Sequence, residues 1–137
     1  MADGPSLAVN VSGILQIASK ITQISYSHAR DVHRAPITQK AYLQGISALM
    51  EVLLRTEEAI RDTEATGLLL SRPAYLNDDL LADCHGQLTD LYIELQKHIS
   101  ELRWPLQDKE VREKVDMLRK YRSLFADFLS ACVSCVP

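Results

Sequence analysis

The sequence predicts an all-α protein, an up-down four-helix bundle, on three observations. Apolar residues recur at steps of three and four in four separate segments, the spacing that lines one face of a helix. Breakers at Pro36, at Gly67 with Pro73, and at Trp104-Pro105 divide the chain into stretches of similar length with short connections. No repeat or strand-like alternation competes, and five Gly and five Pro in 137 residues leave the segments between breakers uninterrupted. Such a chain folds as helices packed alternately up and down. Residues 1–131 are expected to form the bundle and 132–137 a C-terminal tail or the start of a linker, with a short extra helix accommodated in the 66–77 connection.

The first helix starts near Pro5-Ser6 and is expected to run to about Val32. Leu7, Val11, Ile14, Ala18, Ile21 and Ser25 form its inward stripe, widened by Ile17 and Ile24, while Asn10, Gly13, Gln16 and Lys20 fall opposite. Between Asp3 and Lys20 no side chain is ionisable. As a helix, the run from Gly4 to Ser19 is roughly 24 Å long, short of the ~30 Å hydrocarbon layer. Ser6, Asn10, Ser12, Gln16 and Ser19 also interrupt it, so a constitutive membrane span is a poor reading. Two readings stay open: the buried first helix of a soluble bundle, or such a helix that can also enter a membrane. Past Ser19 the segment turns basic, with Lys20, Arg30 and Arg34 beside His28 and His33 against Asp31 alone. That collar suits either water or anionic lipid head groups.

His33-Arg34-Ala35-Pro36 ends this helix, because the residue before a proline is pushed away from helical angles. A second helix follows from Ile37 to Thr63, with Leu43, Ile46, Leu49, Met50, Leu53, Leu54 and Ile60 inside and Gly45 as a close-packing point. Glu51 with Arg55 and Glu57 with Arg61 make i,i+4 pairs on its surface. In the connection after it, Leu68-Leu69-Leu70 either packs over the bundle end or forms an exposed patch. The third helix is capped by Asn77 or Asp78 and carries Leu81, Cys84, Leu88, Leu91, Leu95, His98 and Leu102 as a bundle seam. Trp104 is expected to plug the bundle end. Asp108 is the expected cap of the fourth helix, whose inner face is Val111, Val115, Leu118, Phe125 and Leu129, supported by Tyr121 and Phe128. Glu110 with Lys114 and Asp116 with Lys120 are its expected surface pairs. With two Phe and one Trp, the core is expected to be aliphatic.

At 47% hydrophobic and 24% charged, the chain can bury a core without metal or disulfide. A net charge of −3 argues against a general nucleic-acid binder. Three cysteines without a signal-peptide pattern are expected to be reduced and intracellular. Catalytic chemistry is hard to find. Cys84 and His85 are sequence neighbours, about 100° apart on a helix, and Cys132 and Cys135 have no second pair with which to hold zinc. The carboxylates belong to surface pairs, and neither a Glu-x-x-His motif, a phosphate-binding glycine loop nor a Gly-x-Ser-x-Gly elbow occurs. No metal, no cofactor and no enzymatic activity are expected.

Several stretches, in order, resemble the fungal HeLo-like N-terminal domains. They are Leu7 to Leu15, the Ala35-Pro36 break, Ser47 to Leu53, and Cys84 on its leucine seam. The most telling is Leu102-Arg103-Trp104-Pro105-Leu106-Gln107-Asp108-Lys109-Glu110-Val111, followed by Leu118 and Tyr121-Arg122-Ser123-Leu124-Phe125. Family members carry a similar "WPL…KEV" turn and an "RYKSLFSLAL"-like ending, and the resemblance covers nearly the whole chain. It implies a helical bundle similar to the executioner bundle of mammalian necroptosis, found at the front of fungal NOD-like receptors with signal-transducing (STAND, NACHT-type) NTPases or of smaller proteins ending in an amyloid-forming motif. The implied function is heterokaryon incompatibility or defence-related programmed cell death: copies in the cytoplasm oligomerise, and the N-terminal helix enters the plasma membrane. Carried over by position, the membrane-inserting residues are Leu7, Val9, Val11, Ile14, Leu15 and Ile17, with Lys20, Arg30 and Arg34 for the lipid head groups. The implied partners are other copies of the chain, anionic lipid and an upstream receptor or NTPase region. Because no NTPase, repeat or amyloid motif follows Pro137, an isolated effector domain or an excised piece is expected. The rival expectation is a non-lytic module for homotypic assembly or adaptor docking, with Leu68 to Leu70 or the fourth helix as its contact.

Overall fold

The computed structural model describes residues 3–28, 37–65, 74–97 and 106–134. Four helices make up nearly all of them: α1 (Asp3–His28), α2 (Ile37–Ala65), α3 (Asp78–Lys97) and α4 (Asp108–Ser134), with a 3₁₀ turn at Ala74–Leu76 before α3. The protein is an all-α four-helix bundle. Expectations for the end of the first helix at Val32, for Leu68 to Leu70, and for His98, Leu102, Trp104 and Cys135 fall outside the described residues, as does the side chain of Cys132. The last described helix, α4, extends to Ser134.

Helix directions follow from the pairs of residues that meet. Ser25 of α1 meets Tyr42 of α2, while Ser12 lines a groove with Glu57, so these two helices are antiparallel. Asn10 meets Asp78 and Lys20 meets Tyr92, so α3 runs with α1. Likewise Thr38 meets Asp108 and Gly45 meets Leu118, so α4 runs with α2. The chain thus alternates up and down. Its spatial order is α3, α1, α2, α4, with α1 packing extensively on both α2 and α3, and α2 on both α1 and α4. The ring closes between α3 and α4 through a polar cluster. There the Tyr121 hydroxyl donates to Asp83 at 2.5 Å, and Gln87 Nε2 donates to Tyr121 Oη at 3.0 Å.

Local chemistry sets the helix ends. Asn77 caps α3: its Oδ1 accepts the Leu80 N–H at 2.8 Å and its backbone oxygen accepts the Leu81 N–H at 3.1 Å. At α4 the backbone oxygen of Gln107 accepts from Val111, which makes Gln107 the cap and puts Asp108, the expected cap, inside the first turn. The Asp108 carboxylate is used instead to accept the Thr38 hydroxyl of α2. The Glu51–Arg55 and Glu57–Arg61 pairs form at 2.7 and 3.1 Å. Asp116, expected to pair with Lys120, lies 3.8 Å from Arg119, and the Lys120 ammonium stands over the Tyr121 ring.

The core is mostly aliphatic, but its largest fully buried side chains are Tyr42, Tyr121, Phe125 and Phe128. On α4, Tyr121 and Phe128 are therefore central rather than supporting, whereas Val115 and Leu129 are half-buried. The reason is rotational. At 100° per residue, including Tyr121 and Phe128 turns the inward stripe about 50° from the one centred on Val111, Val115 and Leu129. The same geometry corrects α2, where Leu53 is buried, its neighbour Leu54 is 51% exposed and Met50 is half-buried. Leu54 stands about 100° round the helix from Leu53, which carries it out of the buried stripe. Gly45 is the point where α2 meets α4: a Cβ there would stand 3.5 Å from Leu118, ordinary contact.

Candidate functional site

The uncharged stretch of α1 is the candidate site, and the bundle divides it between inside and outside. Leu7, Val11 and Ile14, with Ala18 and Ile21 further on, are at most 1% exposed, and Ile17 is also buried. These side chains interlock with α2 and α3, including the α3 seam of Cys84, Leu88, Leu91 and Leu95, all fully buried. Leu15 is half-buried, and Val9 is 71% exposed. Of the six candidate insertion residues, then, four face the core, one lies at its margin and one stands in solvent. Lys20 is exposed, its ammonium 5.9 Å from the centre of the Tyr92 ring, so it leans on α3 while remaining accessible. Arg30 and Arg34 lie outside the described residues, so of the expected collar only Lys20 has a position.

Polar contacts fix the far end of α1. Ser25 Oγ and Tyr42 Oη lie 2.8 Å apart with both residues fully buried, and the exposed Tyr26 hydroxyl meets Ser47 Oγ at 2.8 Å. The apolar spacing puts Ser25 on the inward stripe, and a hydroxyl there calls for a hydrogen-bond partner. Which residue supplies it depends on the register of α2, which only the packed structure shows. Nearer its start, Asn10 donates to Asp78 at 3.3 Å on the surface.

Grooves run along both sides of the outward ridge of α1. On the α2 side, the walls include Val9, Ser12 and Gln16 facing Glu57, Ile60 and Arg61, and continue along Leu15 and Lys20 facing Met50 and Leu54. On the α3 side, Val9 and Gly13 face Ala82 and His85. Leu54 is the residue of this face that the apolar spacing misplaces, since it reads as core.

The chemistry around the ridge is quiet. His85 is exposed while Cys84 is buried, and among the described residues no three histidine, cysteine or acidic side chains gather as a metal site requires. Burial, with Asp83 nearby and only partly opposed by Lys120, pushes the Cys84 thiol up to about 12. Burial also raises the Tyr42 phenol above its ordinary value, against its hydrogen bond to Ser25. Between the ordinary thiol value of 9.0 and about 12, the unfolded chain loses the Cys84 proton and the folded chain keeps it. The folded state then binds more protons, so its stability is complete below that window and falls as pH rises through it. Cys84→Ala is expected to flatten this fall, read as the difference between urea midpoints at about pH 8 and about pH 10.5. An unchanged pH dependence would count against a buried, protonated thiol.

Among the described residues no helix is long and apolar enough to cross a membrane. In comparisons with known proteins, no family model, no curated protein and no solved structure matches the chain.

Proposed function

We propose that this chain is a HeLo-like effector and signalling domain of a fungal NOD-like receptor or incompatibility protein. Clustering of copies in the cytoplasm turns α1 toward the plasma membrane and so triggers regulated cell death. The observation that carries this reading is the division of α1: an inward stripe stored against α2 and α3, and an outward side on which Lys20 is the one ionisable group from Val9 to Gln23. A helix without charges for most of its length lacks the groups that most strongly oppose entry into lipid. Because its uncharged run is too short and too polar to span, its lipid-bound state in this reading is interfacial, with the apolar side in the acyl boundary and Lys20 at the head groups.

One released helix gains little from lipid, but several held together gain cooperatively through effective concentration. Fusing the chain to an inducible dimeriser and adding dye-loaded anionic vesicles is therefore expected to give leakage at least about tenfold faster with the inducer than without. Val9→Glu and Leu15→Glu are expected to abolish the gain while keeping the fold, because neither residue is fully buried. Leakage that ignores clustering, or that survives both substitutions, would reject the reading. A second reading, docking of copies or an adaptor with α1 left in place, is favoured by the complete burial of Leu7, Val11 and Ile14. It predicts self-association without any leakage.

A further inference from the structure

We infer that the seam between α3 and α4 is the line along which this bundle opens, and that the Tyr121 hydroxyl, held by Asp83 and Gln87, is the latch across it. The inference rests on the proposed function only for its consequence, that lipid reaches the inward stripe of α1 through the opened seam.

Packing marks the seam. Among the four helices, α1 and α2 each pack closely on two neighbours, whereas α3 packs so on α1 alone and α4 on α2 alone. Side-chain size gives the reason. Where α4 meets α2, Gly45 leaves room for Leu118 to come close. The stripe of α4 that includes Tyr121 carries three fully buried rings, Tyr121, Phe125 and Phe128, and side chains of that size hold helix axes apart.

Polar contacts follow the same division. Asn10 donates to Asp78 at 3.3 Å and ties α1 to α3, while Thr38 donates to Asp108 at 3.3 Å and ties α2 to α4. Ser25 with Tyr42, and Tyr26 with Ser47, join α1 to α2. Across the α3–α4 seam stands the Tyr121 cluster. Asp83 Oδ2 accepts the Tyr121 hydroxyl at 2.5 Å and the Gln87 amide at 3.1 Å, and that amide also donates to Tyr121 Oη at 3.0 Å. The molecule is thus two helix pairs, α3 with α1 and α2 with α4, hinged where α1 meets α2. Swinging the pairs apart breaks the cluster and leaves the contacts within each pair intact.

The latch can both hold and yield. A hydroxyl donating to a carboxylate makes a charge-assisted bond, stronger than one between neutral groups. Tyr121 is buried and Asp83 exposed, so once the seam parts, water takes the hydroxyl's place on the carboxylate. The open form is rare, because the buried rings lose their cover. It is a sub-global motion, distinct from unfolding of the whole chain.

The buried thiol of Cys84, next to Asp83 on α3, is a built-in probe. Its labelling by a thiol reagent, read by peptide mass spectrometry to separate it from Cys132 and Cys135, reports the opening. As a reference, Ser25→Cys places a thiol at the fully buried α1–α2 contact, which the opening leaves closed. Normalised to the unfolded chain, Cys84 is expected to label at least about tenfold faster than the Ser25→Cys thiol, with a shallower urea dependence because less surface is exposed. Global unfolding followed by circular dichroism supplies the same reference in the unsubstituted chain. Tyr121→Phe keeps the ring and removes the hydroxyl, and is expected to speed Cys84 labelling about tenfold while its urea dependence stays shallow. Cys84 labelling that tracks global unfolding in rate and slope, or that Tyr121→Phe leaves unchanged, would overturn the inference.

The forced-dimer leakage assay separates this outcome from the membrane reading. A Tyr121→Phe dimer is expected to leak faster than the wild-type dimer, and equal leakage would overturn the route through the seam. Leakage from wild-type dimers whose Cys84 labels only by global unfolding would remove the seam and leave the membrane reading standing. Fast Cys84 labelling with no leakage from any forced dimer would do the reverse.

Discussion

Phe125→Ala is expected to lower the stability of the bundle by about 3–5 kcal/mol, the range for truncating a fully buried aromatic side chain. Phe125 is 0% exposed on α4, within the α4 stripe formed with Leu118, Tyr121 and Phe128. The loss has two parts, the hydrophobic transfer of the ring and the cavity left where long, straight helices cannot readily close in. Against a typical total of 5–15 kcal/mol, that removes a third or more of the stability of an average domain. Urea unfolding followed by circular dichroism should show a lower midpoint with an unchanged slope. Leu129→Ala, four residues on and half-buried, is expected to cost less than half as much. Equal losses at the two positions would show that the inward stripe of α4 is centred where the apolar spacing alone puts it, and not on the Tyr121 side.

The number of helices, their approximate limits and the inward stripe of α1 were legible because each follows from periodicity and breakers within one segment. Ser25 is the clearest case: a polar residue read as inward from spacing alone, and fully buried beside Tyr42. What was not legible is relational. The rotation of α4 toward Tyr121 and Phe128 depends on its lying between α2 and α3, and no local pattern contains that arrangement. Asp108 looks like a cap because capping chemistry is local, yet its carboxylate meets Thr38, 70 residues away in sequence. The candidate site divides in the same way. That α1 carries a long uncharged run is written in the residues, but that Val9 and Leu54 share one outward face depends on the antiparallel register of α1 and α2. Arg30 and Arg34 fall outside the described residues, so of the expected collar only Lys20 has a position.

Ile14→Asp is expected to abolish cooperative folding, whereas Leu15→Asp, one residue along the same helix, is expected to leave a folded bundle. Ile14 is fully buried and Leu15 half-buried, so the carboxylate at 14 has to lose its water or push the helices apart, while at 15 it reaches solvent. An unpaired buried charge costs more than the 4–5 kcal/mol that marks exceptional substitutions. Thermal unfolding by circular dichroism distinguishes the two variants, the first without a transition and the second with one near that of the wild type. The contrast bears on function, because the side chains that α1 would offer to lipid are the ones that hold it in place. Leu7, Val11, Ile14, Ile17, Ile21 and Ile24 are each worth about 1.5–3 kcal/mol when buried, so their sum rivals the whole stability of a domain. A lone copy therefore cannot expose α1 to water and search for a membrane afterwards. In the proposed function, lipid or neighbouring copies would have to take over those side chains as α2 and α3 give them up, so that clustering at the bilayer, rather than spontaneous opening, would be the step on which activation depends. If Ile14→Asp folds as cooperatively as the wild type, α1 is not stored in the core at all and that coupling disappears.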